Sequence, residues 1–142
     1  MNTPLKNETV TFLATPNNQQ KIKAICSTVE HHFLLEDSLL ILAPSEEAAA
    51  YLDQLLWRFP ESSFLPHAIA QQPTEERIAI TTREENLNQA RVLLSLLPNL
   101  SSIWQQFPHV YELMDTTHPE KQILSENRLK QYQKLGATIH HS

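Results

Sequence analysis

Apolar residues recur along this chain in two patterns, as short continuous runs and as stripes spaced by three or four. Four runs predict strands, because they are short and rich in β-branched and large apolar side chains. They are residues 9–14 (TVTFLA), 38–43 (SLLILA), 76–82 (ERIAITT) and 109–114 (HVYELM). The second run is almost uninterrupted, which is typical of a strand buried on both faces. A fifth run, residues 90–97 (ARVLLSLL), fits either a helix or a strand.

Three helical segments alternate with these strands. The first is predicted to begin with Thr15 as its cap and Pro16 in its first position. The second follows Ser45, which can cap it, and the third covers residues 118–135 and ends at Gly136. Strands that alternate with helices predict an α/β sheet with helices on its faces.

Length and composition narrow the classes of protein. The 142 residues fit a single domain, 1–142, and the one glycine, Gly136, excludes a P-loop, a dinucleotide-binding loop and a glycine-flanked catalytic serine. A net charge of −5 without a basic run argues against tight direct DNA binding. No apolar run reaches the roughly 18 residues of a membrane helix, and the N-terminus lacks a signal pattern, so we expect a cytoplasmic protein.

Histidine and cysteine suggest no chemistry of their own. The chain has seven histidines, but the adjacent pairs at 31–32 and 140–141 point apart and cannot chelate together. We therefore expect neither a metal site nor a cofactor. Cys26 is predicted to be a small core residue, and His67 a hydrogen-bonding residue beside Pro66. No motif marks a Ser-His-Asp site, so we expect no catalytic residue, although composition leaves such a site open.

The stretch YLDQLLWRFPESSFLPH, residues 51–67, carries large apolar side chains through a helix end and a proline-containing loop. A helical wheel places Trp57 away from the expected core stripe. That stripe comprises Ala48, Tyr51, Leu52, Leu55 and Leu56. Two interpretations remain open: the helix ends early and the indole covers the core edge, or the indole is an exposed anchor for a partner. Phe64 and Leu65 are adjacent, so one is expected to enter the core and the other to face outward.

The last helix has an arginine within an apolar arc. Leu124, Arg128, Tyr132 and Leu135 are spaced by four, four and three, which places them on one face. In the commoner case the arginine stem packs and its head reaches water or a carboxylate. Alternatively, Arg128 and Tyr132 face one ligand, such as an acidic peptide that ends in a carboxylate.

Three stretches, YLDQLLW, SSFLPH and RLKQYQKLG, together resemble the chi subunit of bacterial DNA polymerase III, and the similarity extends over nearly the whole chain. The resemblance implies a Rossmann-type domain without nucleotide-binding loops and a non-catalytic accessory role in the clamp-loader assembly during DNA replication. It also implies two partners: a small psi-type subunit that tethers chi to the loader, and the acidic, hydrophobic C-terminal tail of single-stranded DNA-binding protein.

The resemblance assigns residues to both partners. The psi-facing residues correspond to Trp57, Phe64 and Pro66. The tail-binding residues correspond to Arg128, Lys130, Tyr132 and Gly136; we add Lys134 as a substitute for the basic residue that the family often carries after the tyrosine, and Leu124 from the apolar arc of Arg128. Leu129, Gln133 and Ala137 depart from the aromatic or basic residues that the family often carries at these positions. The alternative function is a small-ligand-binding or hydrolytic α/β domain with its site at the carboxyl ends of the strands.

Overall fold

The computed structural model describes residues 9–58 and 65–142. The strands are β1 (Thr9–Thr15), β2 (Leu39–Leu42), β3 (Ala68–Ile69), β4 (Ile78–Thr81), β5 (Val92–Ser95), β6 (His109–Asp115) and β7 (Thr138–His141). The helices are α1 (Asn18–Leu34), α2 (Glu46–Arg58), α3 (Pro119–Lys134) and a short 3-10 helix, Trp104–Gln106. Within the described residues the strands form one sheet in the order β3-β4-β2-β5-β6-β1-β7, and all neighbours are parallel. The predicted α/β class with a Rossmann-like sheet is confirmed.

An apolar layer packs on each face of the sheet. On one face, α1 and α2 contribute buried side chains that include Cys26, Val29 and Leu52. On the other face, the 3-10 segment and α3 contribute Trp104 and Tyr132. The predicted core position of Cys26 is confirmed, and burial raises the pKa of its thiol to about 11. Helices on both faces bury the central strands completely, as a parallel sheet requires.

The central strands show which structure the ambiguous apolar run at residues 90–97 forms. All residues of β2, β4 and β5 are buried. β5 pairs with β2 on one side and β6 on the other, so the ambiguous run at 90–97 forms a strand. Its neighbours decide this, because a short apolar run carries no period that distinguishes a buried strand from a buried helix.

The predicted start of α1 was wrong. Thr15 remains in β1, paired in register with Asp115 of β6, and the helix cap is Asn17, whose side-chain oxygen accepts a hydrogen bond from the Gln20 N–H at 2.8 Å. Strand pairing with β6 therefore continues past the position where a local signal begins a helix. The cap of α2 is confirmed, because the Ser45 hydroxyl oxygen lies 3.1 Å from the Ala48 N–H that donates to it.

Gly136 ends α3 as predicted. Its φ of +83° lies in the left-handed region, and the N–H groups of Gly136 and Ala137 donate to carbonyls of the last helical turn at 3.1 Å each. These two bonds satisfy carbonyls that have no partner within the helix, which is the usual role of a glycine at this position.

Two further expectations need correction. Tyr51, placed in the core stripe of α2, is 56% exposed, because the buried stripe is Ala49, Leu52 and Leu56. The edge strands β3 and β7 were not predicted. β3 has two residues, and β7 carries two histidines on an exposed edge, so neither shows an apolar run.

Candidate functional site: two helix surfaces

Trp57 lies in the last turn of α2, and the residue is 48% exposed. The helix continues through this residue, so the interpretation in which the helix ends before Trp57 was wrong. The ring centroid lies 4.3 Å from that of His67, which is itself buried. One side of the indole therefore rests on the imidazole, and a large part of its remaining surface faces outward.

His67 is held firmly beneath the indole. Its Nδ1 donates to the carbonyl of Leu65 at 2.8 Å, and its Nε2 lies 3.1 Å from the carboxylate of Asp53 on α2. These contacts confirm His67 as a hydrogen-bonding residue beside Pro66. They fix the segment at 65–67 against α2, so the indole has a rigid support.

The other two residues of the proposed psi-facing surface are less fully described. Pro66 is partly exposed next to His67. Phe64 lies outside the described residues. Leu65 is buried in the core, which agrees with the expectation that one of the adjacent pair points inward. We call Trp57, Pro66 and His67 the indole surface.

The inner face of α3 contains a buried charge cluster. The Arg128 Nε lies 3.0 Å from Glu112 Oε1 of β6, and the Tyr132 hydroxyl donates to Glu112 Oε2 at 2.7 Å. The Nε–Oε1 pair is close enough for an ion pair, although its alignment does not meet hydrogen-bond geometry. Arg128 also donates to the carbonyls of Pro98 and Leu113 at 2.8 and 2.9 Å. Since Arg128 and Tyr132 are both buried, their polar groups are satisfied mainly inside the protein.

Burial controls the protonation of this cluster. Desolvation raises the pKa of Glu112 to about 7, while the charge and close contact of Arg128 and the hydrogen bond from Tyr132 act in the opposite direction. Burial and the neighbouring Glu112 also raise the pKa of Tyr132, so its hydroxyl remains a donor. A carboxyl group in this position can be ionised or neutral near pH 7.

The outer face of α3 is different. An open groove runs along it, lined by Pro98, Leu124, Asn127, Lys130, Gln131 and Lys134, with Arg128 at its base. Lys130 and Lys134 are exposed, and neither forms an ion pair within residues 9–58 and 65–142. We call this the outer α3 groove.

The structure thus divides the six residues of the predicted tail-binding set. Leu124, Lys130 and Lys134 come together in the outer α3 groove, and Arg128 lies at its base. Tyr132 is fully buried and faces Glu112 instead. Gly136 is exposed beyond the helix end, where it acts as the cap. Arg128 and Tyr132 therefore meet at Glu112, a group of the protein itself.

Sequence reasoning missed Glu112. A signal was present, because HVYELM places one acid in an otherwise largely apolar strand, and a buried carboxylate needs a partner. Arg128 within an apolar arc was the matching signal. The two were not joined, because the sequence does not show that α3 packs on β6.

The described residues contain no group of three or more His, Cys, Asp or Glu side chains placed to hold a metal ion. Among the helices of residues 9–58 and 65–142, none combines the length and apolar character that a membrane crossing needs.

The sequence profile of one family matches nearly the whole chain. This family is described as "DNA polymerase III chi subunit, HolC", and the match covers residues 8–140. A search of curated proteins found no match. The matched range includes the described sheet apart from the last residue of β7, the helices α1, α2 and α3, and both surfaces described above. The chain therefore belongs to the DNA polymerase III chi subunit (HolC) family.

Proposed function

We propose that this chain is a non-catalytic linker in the replicative DNA polymerase III holoenzyme, with one surface for a psi-type clamp-loader subunit and another for the C-terminal tail of single-stranded DNA-binding protein. Membership of the chi family makes it a replication accessory subunit. The observation that best supports the linker role is the pair of chemically different exposed surfaces, one aromatic and one basic, on different helices.

The indole surface suits a protein partner. Trp is a frequent hot-spot residue, because it buries a large area with few rotamers to lose. Trp57 is half exposed, and His67 supports it from below. A partner side chain that covers the indole would gain apolar contact without a change in the fold.

The outer α3 groove suits an acidic tail. Lys130 and Lys134 lie one turn apart beside the apolar side chain of Leu124, so an acidic and hydrophobic peptide would meet complementary charge and apolar contact. In this proposal Lys130, Lys134 and Leu124 contact the peptide. Arg128, Tyr132 and Gly136 hold α3 in place, with the Arg128 guanidinium at the base of the groove.

A fluorescent peptide with the acidic, hydrophobic tail of single-stranded DNA-binding protein tests the groove. We expect binding at low salt that weakens as salt rises, because exposed charges are screened. The double variant Lys130→Gln/Lys134→Gln should weaken binding by about ten-fold, if each cation contributes about 0.7 kcal/mol. A matched control, Lys23→Gln, removes an exposed charge from α1 and should leave the affinity unchanged. Equal affinity in all variants would contradict the assignment of the groove.

Co-purification with a psi-type subunit tests the indole surface. Trp57→Ala should fold normally and lose the partner. Tyr51→Ala is the control, because it removes another exposed aromatic from the same helix and should retain the partner. If Trp57→Ala keeps the partner, the indole surface is not the docking site; if the variant unfolds, the indole belongs to the structural core.

A further inference from the structure

A cavity opens at the carboxyl edge of the sheet, away from the indole surface. Its volume is about 410 Å³, and it lies between the ends of β2, β5 and β6 and the helices α1, α2 and α3. Ligand pockets typically measure about 300–1,000 Å³. We call this cavity the crevice.

The crevice lies where the strand order reverses. The chain passes from β2 to β3 towards one edge of the sheet, and from β5 to β6 towards the other, while β2 and β5 are neighbours. Side chains and loops that leave adjacent strands in opposite directions create a gap at their carboxyl ends, which is the usual ligand position in open α/β sheets.

The walls of the crevice are mostly apolar. Leu52 and Ala48 of α2, Leu96 and Leu97 after β5, and Leu124 of α3 supply much of this surface. Prolines at 44 and 98 follow β2 and β5 in the same walls. Pro44 and Pro98 have no N–H and no glycine lies in this lining, so the crevice has no glycine-rich loop of the kind that cradles phosphate.

The charged side chains that line the crevice have an excess of positive charge. Three cations, Lys21, Lys121 and Arg128, line it together with one acid, Asp115. Lys21 pairs with Asp115 at 2.6 Å, and Arg128 faces Glu112. Lys121 is exposed and forms no ion pair in the part of the chain that the structure describes. One ammonium thus remains for a ligand, on a chain whose net charge is −5.

We propose that the crevice binds a small molecule that consists of an apolar body and a single carboxylate. The body would lie between Ala48, Leu52 and Leu124, and the carboxylate would pair with Lys121. A carboxylate fits better than a phosphate, because one side-chain cation is available and the lining contains no glycine-rich phosphate loop. The described lining contains neither histidine nor cysteine, so the walls suit binding rather than acyl-transfer chemistry.

Titration of the ¹⁵N-labelled full chain with 2-naphthoate tests this proposal, with 2-naphthalenemethanol as the neutral analogue of the same shape. We expect amide shifts centred on residues 48, 96 and 97 with the acid. The alcohol should bind about two- to five-fold more weakly, as loss of one exposed ion pair predicts. Lys121→Gln should weaken binding of the acid by a similar factor and leave binding of the alcohol unchanged. Lys130→Gln, on the outer face of α3, should change the affinity for neither compound.

Ala48→Phe places a ring in the crevice and should abolish binding of both compounds, with the amide spectrum elsewhere as the check on folding. If Ala48→Phe does not fold, the charge reversal Lys121→Glu tests the proposal instead. This variant should no longer bind the acid more tightly than the alcohol. Absence of shifts in the crevice up to the solubility limit of the acid would overturn the proposal. Equal binding of acid and alcohol, or acid binding that survives Ala48→Phe, would also overturn it. Leu124 lines both sites, but the tail-peptide titration is decided by Lys130 and Lys134 and the crevice titration by Ala48 and Lys121, so failure of either proposal is distinguishable from failure of the other.

Discussion

Arg128 and Trp57 both break the patterns of their helices, one as a cation within an apolar arc and the other as an aromatic outside a core stripe. The structure places them in opposite environments. Arg128 is buried and meets Glu112, whereas Trp57 is 48% exposed and rests on His67. The difference lies in the partners that the sheet supplies. β6 presents a carboxylate beneath α3, whereas at the end of α2 the His67 ring supports the indole and about half of Trp57 stays exposed.

The largest expected effect comes from breaking the buried pair. Arg128→Ala leaves Glu112 without its cation in an apolar setting, so we expect the free energy of unfolding to fall by about 3–5 kcal/mol. Urea unfolding measures this. Lys130→Ala, two positions further along α3 on the exposed face, should change the free energy of unfolding by about 0.5 kcal/mol or less. A small loss for Arg128→Ala would mean that the arginine is free to turn outward.

A smaller effect is expected for the tyrosine of the same cluster. Tyr132→Phe removes the hydroxyl that donates to Glu112 at 2.7 Å and keeps the packed ring. Loss of a hydrogen bond to a buried group should cost about 1–3 kcal/mol. If Tyr132 instead faced a ligand, the substitution would leave urea unfolding unchanged and weaken only peptide binding.

The Glu112 pKa predicts a pH dependence. Its ordinary value is 4.5, and burial raises it to about 7 in the folded chain. Between these values the folded state holds more of the proton than the unfolded state does, so this group's contribution to the free energy of unfolding is largest below pH 4.5 and is lost as the pH rises through 7.

Glu112→Gln removes that titration. The difference in unfolding free energy between the native chain and this variant should therefore shift against the native chain as the pH increases from 4.5 to 7. Urea unfolding at a series of pH values provides the measurement. A difference that does not depend on pH in this range would contradict the raised pKa.

The smallest effect on stability is expected at the indole surface. Trp57→Ala removes a half-exposed ring, so the free energy of unfolding should fall by about 1 kcal/mol or less, as is usual for positions near the surface. Thermal unfolding followed by circular dichroism checks this. A loss comparable to that of Arg128→Ala would place the indole among the core residues and remove the contrast between the two helices.

Much of the fold follows from local patterns. The apolar runs that became β1, β2, β4 and β6 were visible in the sequence, and so were the Ser45 cap and the Gly136 helix end. These features depend on residues close together along the chain. The short edge strands β3 and β7 were not visible, because edge strands need few buried side chains.

The site was less predictable than the fold. The prediction that Trp57 lies away from the core stripe of α2 was correct. The stripe itself was predicted to contain Ala48, whereas the buried alanine is Ala49. For Arg128 the sequence left two outcomes open, and only the packing of α3 on β6 shows that its head reaches Glu112. The crevice was also beyond local reasoning, since helices and strand ends from distant parts of the chain form it together.

One bridging experiment tests the central claim most directly. An immobilised tail peptide of single-stranded DNA-binding protein is incubated with this chain and a psi-type subunit, and the recovered psi-type subunit is quantified. We predict recovery only when the native chain is present. Trp57→Ala should stay on the peptide but lose the psi-type subunit, and Lys130→Gln/Lys134→Gln should reduce recovery of both. Full recovery of the psi-type subunit with either variant would contradict a linker that uses these two surfaces.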